Sequence, residues 1–186
     1  MIISMIAAID EKQGMGYKNN LLCHLPRDLL WFKKRTKNKP VIMGKNTAIS
    51  LGKPLPNRQN IVVSKTGWRS EGFVTCSSPS LALEAAATWL GKRPSSNSPF
   101  GMESDTLDGW LFDNLFNETM IIGGAQIYKE FMDSATNLDI THIHKEFPAD
   151  VFFPDFSDFT LRESCFFAQQ DGVFPSFTIA RYHKKG

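Results

Sequence analysis

The chain has little cysteine, no long apolar run and almost no charge imbalance. Its three cysteines, Cys23, Cys76 and Cys165, form no CxxC or Cys/His spacing, so they read as free thiols in a reducing compartment, not a disulfide framework or a metal cluster. No apolar stretch approaches the roughly 20 residues that cross a bilayer, and the first strand-like run lacks the basic flank and cleavage site of a signal peptide. A cytoplasmic protein without a membrane partner is expected. Lys and Arg together number 21 against 19 Asp and Glu, a formal charge of +2, far from the basic excess that nucleic-acid binding draws on. Three catalytic signatures are also missing. No GxGxxG follows a strand, no GxxxxGK[ST] exists, and no GxSxG elbow is present, so neither a standard Rossmann cofactor loop, a P-loop nor a serine nucleophile is supported.

What remains is an ordinary globular composition, 186 residues with 42% hydrophobic residues. That is enough chain for one domain with its own core, and a single unit over residues 1–186 is expected. Ile2 to Ile9 is an almost unbroken apolar run, as in a strand buried on both faces of a helix-covered sheet. Val41 to Met43, Ile61 to Val63, Phe73-Val74, Met120 to Ile122 and Leu138 to Phe147 repeat the pattern beside turn-forming residues. Helical spacing over Leu25 to Arg35, Lys45 to Leu51, Ser80 to Leu90 and Ala125 to Met132 falls between them. The alternation predicts an α/β fold with a mostly parallel sheet. Phe159 to Ala168 and Ser176 to His183, separated by Asp171-Gly172, predict an antiparallel hairpin that closes it. An atypical segment at about 91–117 begins polar and then carries Leu107, Trp110, Phe112 and Phe116. It reads as an insertion packing on its own domain, or as a docking surface.

Four groups of residues suggest chemistry. Pro26 suits a first helical position and Asp28 the first turn, where its carboxylate shares a face with Trp31 and Phe32. An acid there complements the helix dipole; held against apolar surface, it also gains proton affinity and can grip a cyclic amidine edge by two parallel hydrogen bonds. Gly44-Lys45-Asn46-Thr47 turns a strand directly into a helix whose free N–H groups suit phosphate oxygens, and Ser64-Lys65-Thr66 follows the next strand with hydroxyls and a cation. Gly123-Gly124 permits a close backbone approach at a third strand-to-helix turn. His142 and His144 share one side of a strand, half of a metal site with no further ligand in view, and no metal is expected.

These units stand in one order: Gly14-Met15-Gly16, Leu25-Pro26-Arg27-Asp28-Leu29-Leu30-Trp31-Phe32-Lys33, Pro40-Val41-Ile42-Met43-Gly44-Lys45-Asn46-Thr47, Pro54-Leu55-Pro56-Asn57-Arg58, Ile122-Gly123-Gly124-Ala125-Gln126-Ile127-Tyr128 and Leu138-Asp139-Ile140-Thr141-His142-Ile143. In that order the chain closely resembles the dihydrofolate reductase family, from Met1 to the final hairpin, interrupted by the insertion. The resemblance implies an eight-stranded mixed sheet with flanking helices, NADPH as cofactor, and hydride transfer to C6 of 7,8-dihydrofolate with a water delivering the proton to N5. It implies a catalytic set of Asp28, Thr141 and Leu21, with Asp28 holding the pterin ring. The substrate pocket would be lined by Ile6, Ala8, Leu29, Phe32, Leu51, Leu55, Ile122 and Tyr128, with Arg58 pairing the substrate's glutamate carboxylate. Cofactor contacts would come from Ala8, Met15, Gly16, Leu21, Gly44, Lys45, Asn46, Thr47, Val63, Ser64, Lys65 and the turn Ile122, Gly123, Gly124, Ala125, Gln126, Ile127 and Tyr128.

By the same resemblance the Gly123-Gly124 bond is expected to be cis, Asp150 to hold the loop from Gly14 to Cys23, and the protein to be a monomer. The chain departs from the family in two places. Leu22-Cys23 stands where Pro-Trp is usual, removing the indole at the pocket mouth, and Lys45 replaces the usual Arg, giving a point charge for a bidentate fork. A related reductase acting on a pyrimidine or riboflavin precursor, and a binding homologue without turnover, stand as the competing readings.

Overall fold

The computed structural model describes residues 1–91, 117–169 and 174–186. Its elements in chain order are β1 (Ile2–Ile9), β2 (Gly14–Tyr17), β3 (Asn20–Leu21), α1 (Pro26–Thr36), β4 (Pro40–Gly44), α2 (Lys45–Leu51), β5 (Gln59–Val63), β6 (Phe73–Cys76) and α3 (Pro79–Gly91). β7 (Glu118–Gly123), α4 (Ala125–Phe131), β8 (Asn137–Ile143), β9 (Val151–Phe152), β10 (Phe159–Phe167) and β11 (Phe177–Lys184) follow. The eight-stranded sheet runs β10-β11-β8-β1-β7-β4-β5-β6. β11 pairs antiparallel with both β8 and β10, while every other pairing in this sheet is parallel.

Burial follows from that topology. β7 is buried at every residue, and Val41, Ile42, Met43, Ile61, Met120 and Ile121 have no exposed surface, as expected of parallel strands covered on both faces. Helix α1 starts with Pro26 at its first position and Asp28 in its first turn, and ends with Lys33, Lys34 and Arg35, so its charges oppose its macrodipole at both ends. Ile6, Val41, Met43, Val62, Met120 and Ile122 build the cluster beneath it, with Trp31, Phe32 and Leu55 packed on top.

A buried ionic network fastens the end of α1. Arg35 donates through Nη2 to Glu118 at 2.8 Å and through Nε to Asp139 at 2.8 Å; Lys39 and Ser4 also donate to Glu118, and Arg181 Nε reaches Asp139 at 3.1 Å. Strands β1, β7, β8 and β11 are thereby joined to one helix through side chains that a purely apolar pattern would not place inside.

The sequence pattern differs from the structure in two places. The strand expected over Leu138 to Phe147 ends at Ile143, because Phe147 turns away to donate its N–H to Asp10 Oδ2 at 3.0 Å. A second sheet, β3-β2-β9, has strands of two and four residues, too short to carry an alternating pattern. The apolar part of the insertion and the Asp171-Gly172 turn lie outside the described residues, although the hairpin strands β10 and β11 pair as expected.

Removing one partner of the network leaves buried cations uncompensated, so Glu118→Ala is expected to cost about 3–5 kcal/mol in urea denaturation. Burial raises the Glu118 pKa, but the Arg35 and Lys39 charges outweigh it and hold the carboxyl below its ordinary value. Its contribution is therefore present above the unfolded-state value of about 4.3 and lost as pH falls through the lower folded-state value. The parent and the Glu118→Ala variant should converge in stability at the acid end of a denaturation series.

Candidate functional site

Carboxyl ends of adjacent parallel strands are where α/β sheets open a ligand crevice, and the sequence places its polar groups there. Ala8 on β1 is the register partner of Thr141 on β8. Thr141 Oγ1 donates to Asp28 Oδ1 at 2.6 Å, tying the first turn of α1 to the sheet. Asp28 and Ala8 line one cleft with Met15, Leu21, Cys23 and Leu29. Burial raises the Asp28 carboxyl above its ordinary pKa, and the Thr141 hydroxyl offsets part of that rise. The second carboxylate oxygen has no partner among the described hydrogen bonds.

The apolar residues proposed from the sequence divide into two groups. Ile6, Phe32, Leu55 and Ile122 meet in the cluster under α1, whereas Leu29, which lines the cleft, and Leu51, at the end of α2, are 38% and 36% exposed. Tyr128 lies on the other side of the sheet core and sends its hydroxyl to the Ile6 carbonyl at 2.6 Å. Arg58 is half-buried; its Nε donates to the Pro56 carbonyl at 3.0 Å and its Nη1 to Thr36 Oγ1 at 2.8 Å, which fixes the guanidinium plane and leaves Nη2 unengaged by the described partners.

A second group gathers at the ends of β4, β5 and β7. Gly44 and Val63 are register partners, so Lys45 and Ser64 emerge side by side, with Ser64 Oγ bonded to Thr66 Oγ1 at 3.1 Å and Lys65 exposed. The Gly123-Gly124 peptide is cis, and Gly123 has φ +119°, a conformation only glycine adopts without strain. A Cβ on Gly44 would stand 3.0 Å from Ile127 Cγ1, and one on Gly124 would stand 3.5 Å from Thr47 Oγ1, so the turns into α2 and α4 lie against each other. Asn46 and Thr47 complete the first of these turns, while Ala125 and Gln126 open α4, with Gln126 bonded to Glu130 at 3.1 Å.

The loop between β1 and α1 forms the cleft's outer wall. Met15 and Gly16 lie on β2; Leu21, on β3, is 69% exposed; Cys23 is half-buried. Lys18 donates its N–H to Asp150 Oδ2 at 2.9 Å and Asp150 donates its own to the Gly16 carbonyl at 3.1 Å. Leu22, His24, Leu25 and Ile143 also line the cleft. The sequence marks Leu22 only as a departure from the family pattern and Leu25 and Ile143 only as parts of matched motifs, because nothing in a residue's identity says that the chain will fold it inward. His142 lies on the opposite side of β8 from Thr141 and bonds to Tyr182 Oη at 2.8 Å, whereas His144 stands just past the end of β8 and bonds to Thr178 Oγ1 at 2.8 Å. Among the described residues no three metal-ligating side chains gather, and no helix is long and apolar enough to cross a membrane.

Comparison with known proteins bears on this arrangement. The family model described as "Dihydrofolate reductase" matches residues 2–92 and 102–184. The chain is 37% identical over 158 residues to the dihydrofolate reductase of Buchnera aphidicola subsp. Acyrthosiphon pisum, covering 84% of this chain and 81% of that one. It is 34% identical over 154 residues to that of Haemophilus influenzae, covering 83% and 79%. Among solved structures, the dihydrofolate reductase from Enterococcus faecalis complexed with NADP(H) and RAB-propyl superposes with a TM-score of 0.78 at 25% identity, covering 100% of this chain and 97% of that one. The α/β fold, its cleft and the family match together make this chain an oxidoreductase. The chain belongs to the dihydrofolate reductase family.

An ionised Asp28 is costly here, since the folded state holds its proton more tightly than the unfolded chain does. Stability conferred by the neutral acid is present below the unfolded value of about 3.9 and is lost as pH rises through the folded one. Asp28→Asn should therefore melt at a higher temperature than the parent at pH 7, with the difference shrinking at pH 3, by differential scanning calorimetry. Thr141→Val removes the hydrogen bond that favours the carboxylate, and should move the Asp28 titration, read from its carboxyl 13C shift, further upward.

Proposed function

We propose that the protein reduces 7,8-dihydrofolate to tetrahydrofolate with NADPH, taking up one proton. The observation that carries this reading is the half-buried Asp28 carboxylate, held by Thr141 in the cleft of a chain that belongs to this family. When bound, NADPH supplies a hydride to C6 of the pterin. The cofactor fits the residues present. Lys45, Thr47, Ser64 and Lys65 offer the cations and hydroxyls a nucleotide phosphate takes, and the Gly123-Gly124 turn brings backbone without side chains to the same edge.

The protein's own groups do the rest. Asp28 lies on a face of α1 that approaches the cleft, and its two oxygens match the N3 and 2-amino group of a pterin. A carboxylate in that position orients the ring and favours proton uptake at N5 from water, which makes Asp28 a positioning group more than a direct donor. Ile6, Phe32, Leu55 and Ile122 supply apolar contact for the ring and benzoyl group, and the exposed Leu29 and Leu51 extend it. Arg58, with its plane fixed by Thr36 and Pro56, presents its unengaged edge to the glutamate carboxylate. Met15, Leu21 and Cys23 wall the cleft, and the bulk water they exclude when a ligand fills it would strengthen the charge interactions within.

The test is loss of NADPH absorbance on adding dihydrofolate. Robust turnover by the parent and a loss of at least about a hundredfold in Asp28→Asn are expected; tight binding of both ligands without turnover would show a homologue that binds but does not reduce. Arg58→Ala should raise KM for dihydrofolate by about tenfold or more while changing kcat little, since it removes a contact made equally in the ground and transition states.

A further inference from the structure

Asp10 sits one residue past β1, is 3% exposed, and has no cationic partner among the described ion pairs. A buried carboxylate without a cation must be satisfied by hydrogen bonds. Its partners are all main-chain N–H groups. Oδ1 accepts from Lys12 at 2.9 Å and Gly14 at 2.7 Å, and Oδ2 accepts from Phe147 at 3.0 Å. Two separate segments are thus bonded to one side chain: the start of the loop that walls the cleft, and the connection from β8 to β9. The main chain adds to the same junction, with Asp10 N–H bonded to the Gly14 carbonyl at 2.9 Å and Phe153 N–H to the Gln13 carbonyl at 2.8 Å. Nothing larger than glycine fits at position 14, where a Cβ would stand 2.6 Å from Ala149 Cβ and 3.0 Å from Asp10 Oδ1.

We infer that Asp10 is a positioning residue for the reaction: its carboxylate clamps the base of loop 11–23 to the β8–β9 connection, and so holds Met15, Leu21 and Cys23 over the cleft that contains Asp28. The inference rests on the proposed reduction for its catalytic consequence and on geometry alone for its structural one. Both oxygens are needed, because one serves each segment. The exposed Lys12–Glu146 ion pair, 2.6 Å across the same two segments, contributes little by comparison, since both of its ends stay in water.

Asp10→Asn separates these roles. An amide keeps one acceptor for Lys12 and Gly14 but turns an NH2 toward the Phe147 N–H, which frees the connection without changing side-chain volume. Two readouts are expected to move. Trypsin should cut after the exposed Lys18 at least about tenfold faster than in the parent, because opening of the loop is no longer opposed by a hydrogen bond to a charged group. With dihydrofolate and NADPH, kcat per folded molecule should fall about tenfold with KM within twofold, and the deuterium isotope effect on kcat should rise as hydride transfer slows. Lys12→Ala should change neither readout. If Asp10→Asn does not fold, Asp10→Glu, which keeps the charge and lengthens the arm, is read in the same way.

Unchanged proteolysis, or a lower kcat whose isotope effect stays at the parent value, overturns the inference. A parent that binds both ligands but does not turn over overturns the proposed reduction, while faster proteolysis in Asp10→Asn would still establish the clamp.

Discussion

The hydrogen bond from Thr141 to Asp28 is the contact on which the site depends. It joins the first turn of α1 to the central strands at a point where the helix must also present a charge to an apolar cleft. A carboxylate in such a place is unfavourable, and its pKa rises for that reason. One hydroxyl cannot remove the cost, but it fixes which oxygen is used and which faces the cleft. The other end of α1 is fastened by Arg35 to Glu118 and Asp139, so the helix is held at both ends and cannot slide to relieve the strained acid. Rigidity at the base thus sustains an unfavourable group at the tip, a distribution typical of functional sites.

Around this fixed element the outer wall is assembled from a loop with almost no core of its own. Leu21 is largely exposed and Tyr17, Lys18, Asn19 and Asn20 are exposed, so apolar burial does not define the loop's position. Hydrogen bonds do. Asp10 fixes its beginning and Asp150 its middle, and both acids accept from main-chain N–H groups, which hold their geometry whatever side chains the loop carries. A wall held by a few polar contacts opens at lower free energy than one held by packing.

Much of this was legible in the sequence, for physical reasons that differ from element to element. The parallel strands were readable because burial on both faces leaves unbroken apolar runs such as Ile2 to Ile9, and α1 because its helical spacing runs from Leu25 to Arg35 and Pro26 marks its start. The cleft's acid could be placed on a helix face from spacing alone, but its partner could not: Thr141 lies 113 residues away, and only the resemblance to the family joined them. β2, β3 and β9 escaped notice because strands of two to four residues have no period to detect. The ionic network under α1 was invisible for the opposite reason, since Glu118, Asp139 and Arg35 look like surface charges until the fold brings them together.

Cys23 shows how a local departure is absorbed. The usual indole at this place would present a large apolar body to the cleft; the thiol presents a small one. Burial raises its pKa, and the nearby Asp28 charge raises it further, so at neutral pH the group is a neutral SH. A thiolate beside Asp28 would place two anions in one low-dielectric cleft and drive the acid's own proton affinity upward. Kept neutral, Cys23 adds no second negative charge beside Asp28. It packs against Leu25, Ile143, Phe177 and Ile179 as a small apolar side chain does. Substitution of the indole therefore alters the shape of the wall and its water-excluding capacity more than its electrostatics, and places the greater part of the loop's closure on the polar contacts at its base.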